Sequence, residues 1–509
     1  MSTTRRQFLR TAALATAGAA ATPLLRTHAA QPPLTNPKSP ILPSASDSLP
    51  NPKSPIQNPK SPNLLFFFPD QMRRHAMGFT HEDPVITPHI DRFATQSLYL
   101  PQTTATFPVC TPWRGMMMTG RFPTATGLIN NCNSTRPNLY LRREERCITD
   151  VLHDAGYHIG YIGKWHLTRP RAPYLPQGPG RTDGIAWDEF TPPEDRHHID
   201  HWHAYNAYDE HLAPRYWDTH SSRDAHRTYD EWSPQHETDR AIAYLENTAG
   251  KHRDPAKPFA LWLSMNPPHP PYNQVPGRYR DHYKGKTAAD LLRRPNVRLE
   301  AAGKPAATAV ADYFAAITGV DEQFGRILAT LDRLKLSDDT IVVFTSDHGD
   351  MMGSHALMGK PHPYDEALNT PFLIRWPGRI KAAATDDLLL SAPDLMPTLL
   401  GLMHLRAQIP PQVQGADHSP ILLGHDSAPR PAYAPYMDST AGGHRGLRTH
   451  THTLCLAKQN HPTEPPVRLY DNRTDPYQLR NIATETPALV ATLTAETRRW
   501  LARVGDPWT

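Results

Sequence analysis

The sequence has little cysteine: its 509 residues include only four, at positions 110, 132, 147 and 455, with no Cys-x-x-Cys pair. Four cysteines are too few for a disulfide scaffold of this length, and their spacing argues against a structural zinc site. The sequence alone leaves open whether Cys132 and Cys147 pair. Glycine is also slightly scarce at 28 residues, which excludes collagen-like and glycine-rich linker compositions. The hydrophobic fraction of 39% instead predicts a globular protein with a large core.

The sequence also lacks an excess of charge of one sign, since 54 basic residues face 50 acidic ones. A formal net charge of +4 is too small for a protein whose affinity for nucleic acid would depend on neutralising phosphates. Long hydrophobic runs are missing as well, and the most apolar N-terminal stretch is too short and too mild to span a membrane. We therefore expect neither a nucleic-acid partner nor a stable membrane span.

Most of the positive charge lies in residues 1–62, which contain seven basic residues and one acidic residue. Within residues 1–30, the run Thr4-Arg5-Arg6-Gln7-Phe8-Leu9-Arg10 precedes an alanine-rich apolar stretch that ends in small residues. This order is typical of a twin-arginine signal peptide. It predicts the twin-arginine export machinery as a partner, and a periplasmic or secreted location.

Proline is abundant, at 54 residues, and ten of these lie in residues 31–62. That segment repeats Asn-Pro-Lys-Ser-Pro three times, which favours extended polyproline II structure and cannot bury a core. We interpret 31–62 as a disordered linker, followed by a catalytic domain over 63–429 and a C-terminal subdomain over 430–509.

Four short apolar runs, at 64–68, 158–162, 259–263 and 341–345, each end abruptly in polar residues. Such runs are typical of buried parallel strands. Apolar residues at helical spacing over 320–334 predict a crossover helix, residues 371–376 a further strand and residues 393–402 another helix. The expected fold is α/β, with a large mixed, mainly parallel sheet sandwiched by helices and a smaller C-terminal α+β subdomain.

Polar side chains at the carboxyl ends of parallel strands meet at one edge of the sheet, where open α/β folds bind their ligands. We therefore expect the residues after the four runs to converge on one crevice. The Pro- and His-rich stretches 168–240 and 270–310 are expected to be long loops that shape this pocket.

The most specific motif is Cys110-Thr111-Pro112-Trp113-Arg114, followed by Gly115 and Thr119-Gly120-Arg121. Proline just after the cysteine and the helix-forming methionines beyond it place Cys110 at a helix N-terminus, where free N–H groups and the helix dipole favour negative charge. A chance Cys-x-Pro-x-Arg match has a probability of roughly 3% in such a chain, so the motif is informative without being decisive alone.

With this motif the chain resembles the type I, formylglycine-dependent sulfatases of the alkaline-phosphatase-like superfamily. The resemblance covers most of residues 63–480 and is supported by eight segments in the order that the family has them. These are Pro69-Asp70-Gln71, Thr87-Pro88-His89-Ile90-Asp91-Arg92-Phe93, Thr119-Gly120-Arg121, Gly163-Lys164-Trp165-His166-Leu167, Asn266-Pro267-Pro268-His269, Thr345-Ser346-Asp347-His348-Gly349-Asp350, Gly359-Lys360 and Leu469-Tyr470-Asp471.

The resemblance implies a metal site formed by Asp70, Gln71, Asp347 and His348 together with residue 110. Calcium is the family's expected ion. Because Asp-Gln and Asp-His stand where many members have Asp-Asp and Asp-Asn, the site loses one negative charge and gains a nitrogen, which leaves Mn²⁺ or another divalent metal open.

The resemblance further implies that a formylglycine-generating or maturase enzyme oxidises Cys110 to Cα-formylglycine. The hydrated aldehyde would attack sulfur, and its second hydroxyl would later expel sulfate. Arg114 and Lys164 would hold the hydrate, and His166 would act as the base. His269 and Lys360 would stabilise or protonate the leaving oxygen.

The predicted function is therefore an exported sulfuric ester hydrolase, a sulfatase that acts on a sulfated carbohydrate or another sulfated small molecule. A phosphonate or phosphate monoester hydrolase, or an arylsulfatase of the same superfamily, is the alternative reaction. An inactive sulfatase-like binding protein is the alternative of another class, and the retention of every catalytic residue argues against it.

Overall fold

The computed structural model describes residues 61–179, 182–425, 427–438, 443–458 and 465–508. The predicted signal peptide at 1–30, and all but the last two residues of the predicted linker, lie outside the described residues. Among the helices that are described, none combines the length and the apolar character needed to cross a membrane.

The centre of the protein is a ten-stranded sheet in the order β10-β2-β9-β8-β1-β7-β3-β4-β5-β6. Its strands are β1 Asn63–Pro69, β2 Leu98–Tyr99, β3 His158–Lys164, β4 His201–Tyr205, β5 Arg215–Asp218, β6 Arg227–Thr228, β7 Phe259–Met265, β8 Thr340–Thr345, β9 Phe372–Arg375 and β10 Ala384–Thr385.

The five central strands, β8, β1, β7, β3 and β4, run parallel to one another, whereas β9, β5 and β6 pair antiparallel with their neighbours. Phe68 of β1 pairs with Ser264 of β7, and Phe67 pairs with Phe344 of β8, so the carboxyl ends of these strands lie side by side. All four apolar runs that predicted parallel strands form them, and the expected mixed, mainly parallel sheet is confirmed.

The helices cover both faces of this sheet. They are α1 Pro88–Ala94, α2 Cys110–Thr119, α3 Pro123–Thr126, α4 Ile148–Asp154, α5 Ser233–Glu246, α6 Gly277–Arg280, α7 Ala288–Leu291, α8 Ala306–Arg333, α9 Asp365–Leu368, α10 Leu395–Leu402, α11 Ser419–Leu422 and α12 Pro487–Val504.

Alternate residues of β1 enter two different cores, as the two-residue period of a strand requires. Phe66 and Phe68 pack with α2, α4 and α10 on one face, while Leu65 and Phe67 pack with α5 and α8 on the other. In the predicted crossover helix α8, Phe324 packs against Phe67 with ring centroids 4.9 Å apart and the ring planes tilted by 54°. Leu328 and Leu334, also expected in the core, are only partly buried at its edge.

The predicted helix at 393–402 begins as a 3-10 turn, Ala392–Asp394, and becomes α-helical only from Leu395. The expectation that 168–240 and 270–310 are long loops is wrong in part, because the first stretch contains β4, β5, β6 and the start of α5, and the second contains α6 and α7. Trp202, Trp217 and Tyr216 are buried in the first stretch. Aromatic rings therefore provide its buried apolar surface, whereas aliphatic side chains provide most of it in the central strands.

The C-terminal region forms a separate antiparallel sheet of β11 Ala434–Met437, β12 His444–Arg448, β13 His452–Ala457 and β14 Val467–Asp471. Helix α12 packs on β12 and β13, which gives the small α+β arrangement that was expected. The domain boundary at residue 430 stays a prediction.

Candidate active site

Residues from four strand ends meet at the carboxyl edge of the central sheet. Asp70 follows β1, Lys164 ends β3, Asn266 follows β7, and Asp347 and His348 lie just beyond β8. Every one of these side chains is buried. The crevice predicted from the polar strand ends therefore exists, and it joins residues as far apart in the sequence as Gln71 and Lys360, which are 289 positions apart and hydrogen-bonded to each other.

Cys110 is the first residue of α2, as the proline two residues later predicts. Its Sγ lies 3.4 Å from Nε2 of His348, 3.3 Å from Nζ of Lys360 and 3.6 Å from Oδ1 of Asp70. The Lys164 ammonium lies 4.0 Å away on another side. Residue 110 thus lies at the centre of the cluster, close to the Asp70 carboxylate and to the ammonium groups of Lys164 and Lys360.

Two carboxylates lie next to Cys110 and differ in their hydrogen bonding. Asp70 contacts Lys164 at 2.8 Å and Arg114 at 3.2 Å through Oδ2. Asp347 accepts the backbone N–H groups of Gln71 and His348 through Oδ1, at 3.0 and 2.9 Å. The buried Oδ2 atom of Asp347 has no hydrogen-bond partner in the described part of the chain.

His348 is oriented by its own backbone, because Nδ1 lies 3.1 Å from the carbonyl oxygen of Gly349. A proton on Nδ1 donates to that carbonyl and leaves the lone pair of Nε2 facing Cys110 and both carboxylates. Nε2 lies 3.7 Å from Asp70 and 3.6 Å from Asp347. This is the arrangement of an imidazole ligand beside two carboxylate ligands.

Gln71 has a left-handed backbone, with φ of 67°, that turns its side chain back into the site. Its Nε2 donates to Asp350, so its Oε1 faces Lys360 and accepts from Nζ at 2.6 Å. Tyr272 donates to the same Asp350 carboxylate at 2.6 Å. Asp350 and Tyr272 therefore hold Gln71 in place.

Arg114 and Lys164 lie beneath the carboxylates, away from solvent. Arg114 donates to Ser264 at 2.8 Å and reaches both Asp70 and Asp347. Lys164 donates to Oδ1 of Asn266 at 3.0 Å, and Asn266 is held by Asp209. These contacts fix the two cations against the floor of the site.

The turn that presents Lys164 depends on a glycine. Gly163 has φ of 101°, and a Cβ atom there would lie 2.0 Å from the carbonyl oxygen of Ser264 on β7. Only glycine allows this approach of β3 to β7 with this backbone angle. The Gly-Lys-Trp-His motif therefore supplies both the Lys164 ammonium group and the backbone bend at Gly163 that directs it into the site.

The two predicted catalytic histidines differ in their bonding. Both ring nitrogens of His166 are buried without a hydrogen-bond partner among the described residues. His269 donates from Nδ1 to the carbonyl oxygen of Pro270 at 2.8 Å, which leaves its Nε2 as the reactive atom. Burial and the nearby Lys164 ammonium hold the pKa of both imidazoles well below the usual value, so both are neutral at neutral pH.

The charges of the site shift its acids in opposite directions. Burial opposes ionisation of Asp70, but Lys164, His269 and Lys360 outweigh it and hold the Asp70 pKa well below its usual range. Burial and the neighbouring Asp70 raise the pKa of Asp347 to about 7. The same two causes raise the pKa of the Cys110 thiol to about 11, so an unmodified Cys110 is a neutral thiol.

The residues present fit a divalent cation. Donor atoms of Asp70, Cys110, Asp347 and His348 all lie within 4.8 Å of one another, and all four residues are buried. An unpartnered carboxylate oxygen on Asp347 is the kind of atom that a cation satisfies. The donor set of carboxylates with one imidazole suits Ca²⁺ or Mn²⁺ better than a soft metal.

A cavity of 420 Å³ opens above this cluster and contains Lys164, His166, His269 and Lys360 in its wall. Its outer wall adds residues to which the sequence had given no role: Asn131, Trp187, Ala207, Asp209, Glu210, Pro270 and Pro271. Most of them come from 168–240 and 270–310, so these stretches do shape the pocket. Their positions depend on tertiary contacts, and only the proximity of Pro270 and Pro271 to His269 could have indicated them.

All four cysteines are buried and free, so Cys132 and Cys147 are not joined by a disulfide. Cys132 instead lies against the first turn of α2, where its Sγ is 3.2 Å from the carbonyl oxygen of His166. Together with Thr111, which donates to that same oxygen at 2.7 Å, it fixes the left-handed turn of His166.

A cysteine at a helix N-terminus, beside buried carboxylates and cations at the carboxyl edge of a parallel sheet, is an arrangement suited to a hydrolase of the alkaline-phosphatase-like class. The family model described as Sulfatase matches residues 62–405, and the model described as N-sulphoglucosamine sulphohydrolase, C-terminal, matches residues 353–503. The chain belongs to the sulfatase family, whose members hydrolyse sulfate esters and generally use a metal and formylglycine.

Similar proteins agree with this assignment. An endo-4-O-sulfatase of Bacteroides thetaiotaomicron is 40% identical over 88% of this chain and 93% of its own length. An ulvan-active sulfatase of Formosa agariphila is 32% identical over 87% of this chain and 82% of its own. A solved structure from Bacteroides thetaiotaomicron, described in connection with the metabolism of multiple glycosaminoglycans, matches with a TM-score of 0.82 and 39% identity, over 88% of this chain and 98% of that one.

Proposed function

We propose that the protein is an exported sulfatase that hydrolyses sulfate esters of a sulfated carbohydrate, using Cα-formylglycine formed from Cys110 and a divalent cation. The observation that carries this proposal is the buried cluster in which Cys110 Sγ lies within 4.0 Å of Asp70, Lys164, His348 and Lys360. The carbohydrate substrate is supported by the names of the two relatives, an endo-4-O-sulfatase and an ulvan-active sulfatase.

The protonation state of the Cys110 thiol supports a modified nucleophile at this position. Its raised thiol pKa means that almost no thiolate is present at neutral pH, although the thiolate is the reactive form of cysteine. The formylglycine aldehyde, once hydrated, supplies an oxygen nucleophile in place of sulfur. A formylglycine-generating or maturase enzyme is therefore a proposed partner.

The metal would be held by Asp70, Asp347, His348 and residue 110. Gln71 would join them through Oε1 if Lys360, which now contacts that oxygen, turned toward the cavity. Calcium is our first choice and Mn²⁺ the alternative. When bound, the cation supplies positive charge that neutralises sulfate oxygens.

Arg114 and Lys164 would provide fixed positive charges for an anionic substrate. Because both are buried and fixed by Ser264 and Asn266, they need no reorganisation when an anion arrives. With Lys360 they place three cations beside two carboxylates, so the site attracts an anionic ester even before a metal adds its charge. This local excess matters more than the net charge of the chain.

His166 is suited to accept a proton from residue 110. It is neutral, lines the cavity, and neither ring nitrogen is engaged within the described structure. His269 and Lys360 face the same cavity, where the leaving oxygen would emerge. Lys360 carries protons on Nζ, whereas the Nδ1 bond of His269 leaves its Nε2 to accept a hydrogen bond from a substrate hydroxyl or to take up a proton.

Two measurements test the function. Mass spectrometry of the peptide containing Cys110, from enzyme produced in its native host, should show the formylglycine mass; an intact thiol throughout would overturn the mechanism. Paired initial rates with an aryl sulfate and an aryl phosphonate monoester should favour the sulfate, and a preference for the phosphonate would instead support the alternative hydrolase.

We also propose a periplasmic or secreted location, on the strength of Arg5 and Arg6 before the apolar stretch. Changing both to lysine keeps the charge but removes the arginine pair. We expect this variant, fused to a folded reporter, to stay in the cytoplasm while the wild-type leader exports it. Export of both alike would contradict the signal.

A further inference from the structure

A second cavity, of 410 Å³, lies beside the active site and is lined mainly by arginine. Four arginines, one tyrosine and two carboxylates form its wall, which gives the cavity two more positive than negative charges. None of these residues has a role in the proposed reaction.

Two of the four arginines are already paired with carboxylates. Arg143 contacts both Asp195 and Glu194, and Arg171 lies 3.0 Å from Asp195. The positive charge that remains available in this cavity is therefore that of the other two arginines, set against one remaining wall carboxylate, that of Glu144.

Those two, Arg142 and Arg169, both lie over the ring of Tyr140, with guanidinium carbons 4.1 and 5.2 Å from its centroid. Arg142 also donates to the Tyr140 hydroxyl and to the carbonyl oxygen of Asn138. Within the described ranges, neither Arg142 nor Arg169 has a carboxylate at ion-pair distance, and both are exposed to solvent.

Two like charges gathered around one ring repel each other, and an anion between them would relieve that repulsion. Guanidinium groups bind sulfate and carboxylate oxygens through paired N–H donors. Because Tyr140 already restricts the guanidinium of Arg142 by stacking and a hydrogen bond, little additional order is lost when an anion binds.

This pair is physically connected to the active site. The loop before Arg142 is tied to the loop before Arg169 by the hydrogen bond from Leu141 N–H to the carbonyl oxygen of Leu167, at 3.0 Å. Arg169 is only three residues beyond His166, which lines the active-site cavity, so at most about 11 Å of backbone separates them. One extended molecule can therefore contact both cavities.

We propose that Arg142, Arg169 and Tyr140 form an anion-binding subsite that holds a second anionic group of a sulfated polysaccharide while a first sulfate ester occupies the active site. This inference rests on the proposed function and extends it. It identifies the substrate as a polyanionic chain rather than a singly sulfated small molecule, because the latter has no second anionic group for the subsite to bind.

The test uses the mature full-length enzyme and an Arg142→Gln/Arg169→Gln variant, which keeps much of the packing on Tyr140 but removes both charges. The probes are dextran sulfate, neutral dextran and a small aryl sulfate. We expect the variant to bind dextran sulfate about tenfold more weakly, with a shallower dependence on salt, and to hydrolyse the aryl sulfate at the wild-type kcat/KM.

An Arg473→Gln/Arg499→Gln variant is the control, because it removes two other exposed arginines, each of which is paired with a carboxylate. It should bind dextran sulfate as the wild type does. Equal binding by the wild type and the Arg142/Arg169 variant, or an equal loss in the control, would overturn the subsite. Failure of the proposed function would give a different result, because the wild type itself would not hydrolyse the aryl sulfate. Dextran sulfate binding by the wild type and the Arg142/Arg169 variant would still show whether the subsite exists.

Discussion

Two groups of buried charges in this protein differ in how fully their hydrogen bonds are satisfied. Around Glu366, the carboxylate accepts from Arg294 at 2.8 and 3.1 Å and from Asn296 at 2.7 Å. In the active site, Oδ2 of Asp347 and both ring nitrogens of His166 lack hydrogen-bond partners within the described residues. Buried polar groups are normally bonded, so this contrast needs an explanation.

The pKa values show the same contrast. Burial opposes ionisation of both acids, but Arg294 and His355 lower the Glu366 pKa to about 2. For Asp347, the neighbouring Asp70 adds to burial, and its pKa rises to about 7. The Glu366 group is arranged to stabilise the fold, whereas the active site keeps unmet bonding capacity for a cation and a substrate.

The largest expected effect is that of Cys110→Ala on turnover. The variant loses the nucleophile, so kcat should fall by at least about 10⁴-fold, while the small change in buried volume leaves the fold intact. Initial rates with an aryl sulfate measure turnover, and a circular dichroism melting curve shows whether the fold is intact. Cys455→Ala, at a buried cysteine of the C-terminal sheet, should keep wild-type turnover; unchanged activity in Cys110→Ala would refute the nucleophile assignment.

Asp347→Asn should separate metal binding from folding. A carboxyl whose folded pKa is raised is destabilising in its charged form, so the neutral amide should leave the metal-free melting temperature unchanged or higher. Adding Ca²⁺ or Mn²⁺ at about 100 times its Kd should stabilise the wild type by about 2.7 kcal/mol but not the variant. Thermal melts with and without metal decide this; a full metal response in the variant would remove Asp347 from the ligand set.

Glu366→Gln should have the opposite outcome, because it removes one of the two carboxylates that pair with the buried Arg294 guanidinium and leaves it with Glu82. We expect a loss of about 3 kcal/mol in the free energy of unfolding, measured by urea denaturation. Glu322→Gln is the matched control in an exposed pair with Arg278, and it should cost less than about 1 kcal/mol. Equal losses in both variants would mean that the buried ion pair stabilises the fold no more than the exposed one does.

Much of the fold could be predicted from the sequence, because four of the five central strands, β1, β3, β7 and β8, are buried on both faces and contain continuous apolar runs. The site followed from the same pattern, since residues such as Asp70 and Asp347 end those runs. The helix start at Cys110 was predicted by a local rule about Pro112, and that rule does not depend on distant contacts.

The parts that could not be predicted depend on distant contacts. β4 and β5 are rich in His, Trp and Tyr, so no aliphatic run marked them as strands. The hydrogen bond by which Asp350 holds Gln71 joins residues 279 positions apart, and no local sequence pattern indicates it. The arginines around Tyr140 were equally hidden, because solvated surface charges and a binding subsite have the same composition.

The pH dependence of the Glu366 pair gives the finest test of the contrast between the two groups. Its pKa falls from 4.5 in the unfolded chain to about 2 in the folded protein, so its stabilisation is fully present above pH 4.5 and disappears as the pH falls toward 2. A full shift of this size corresponds to about 3 kcal/mol, of which about 2 kcal/mol is lost by pH 3. Other carboxyl groups titrate in the same range, but their contributions cancel when the wild type is compared with Glu366→Gln. The difference between their urea-derived free energies of unfolding should therefore shrink steadily from pH 5 to pH 3. If it stays constant, the stabilisation comes from packing around Arg294 rather than from the charge of Glu366.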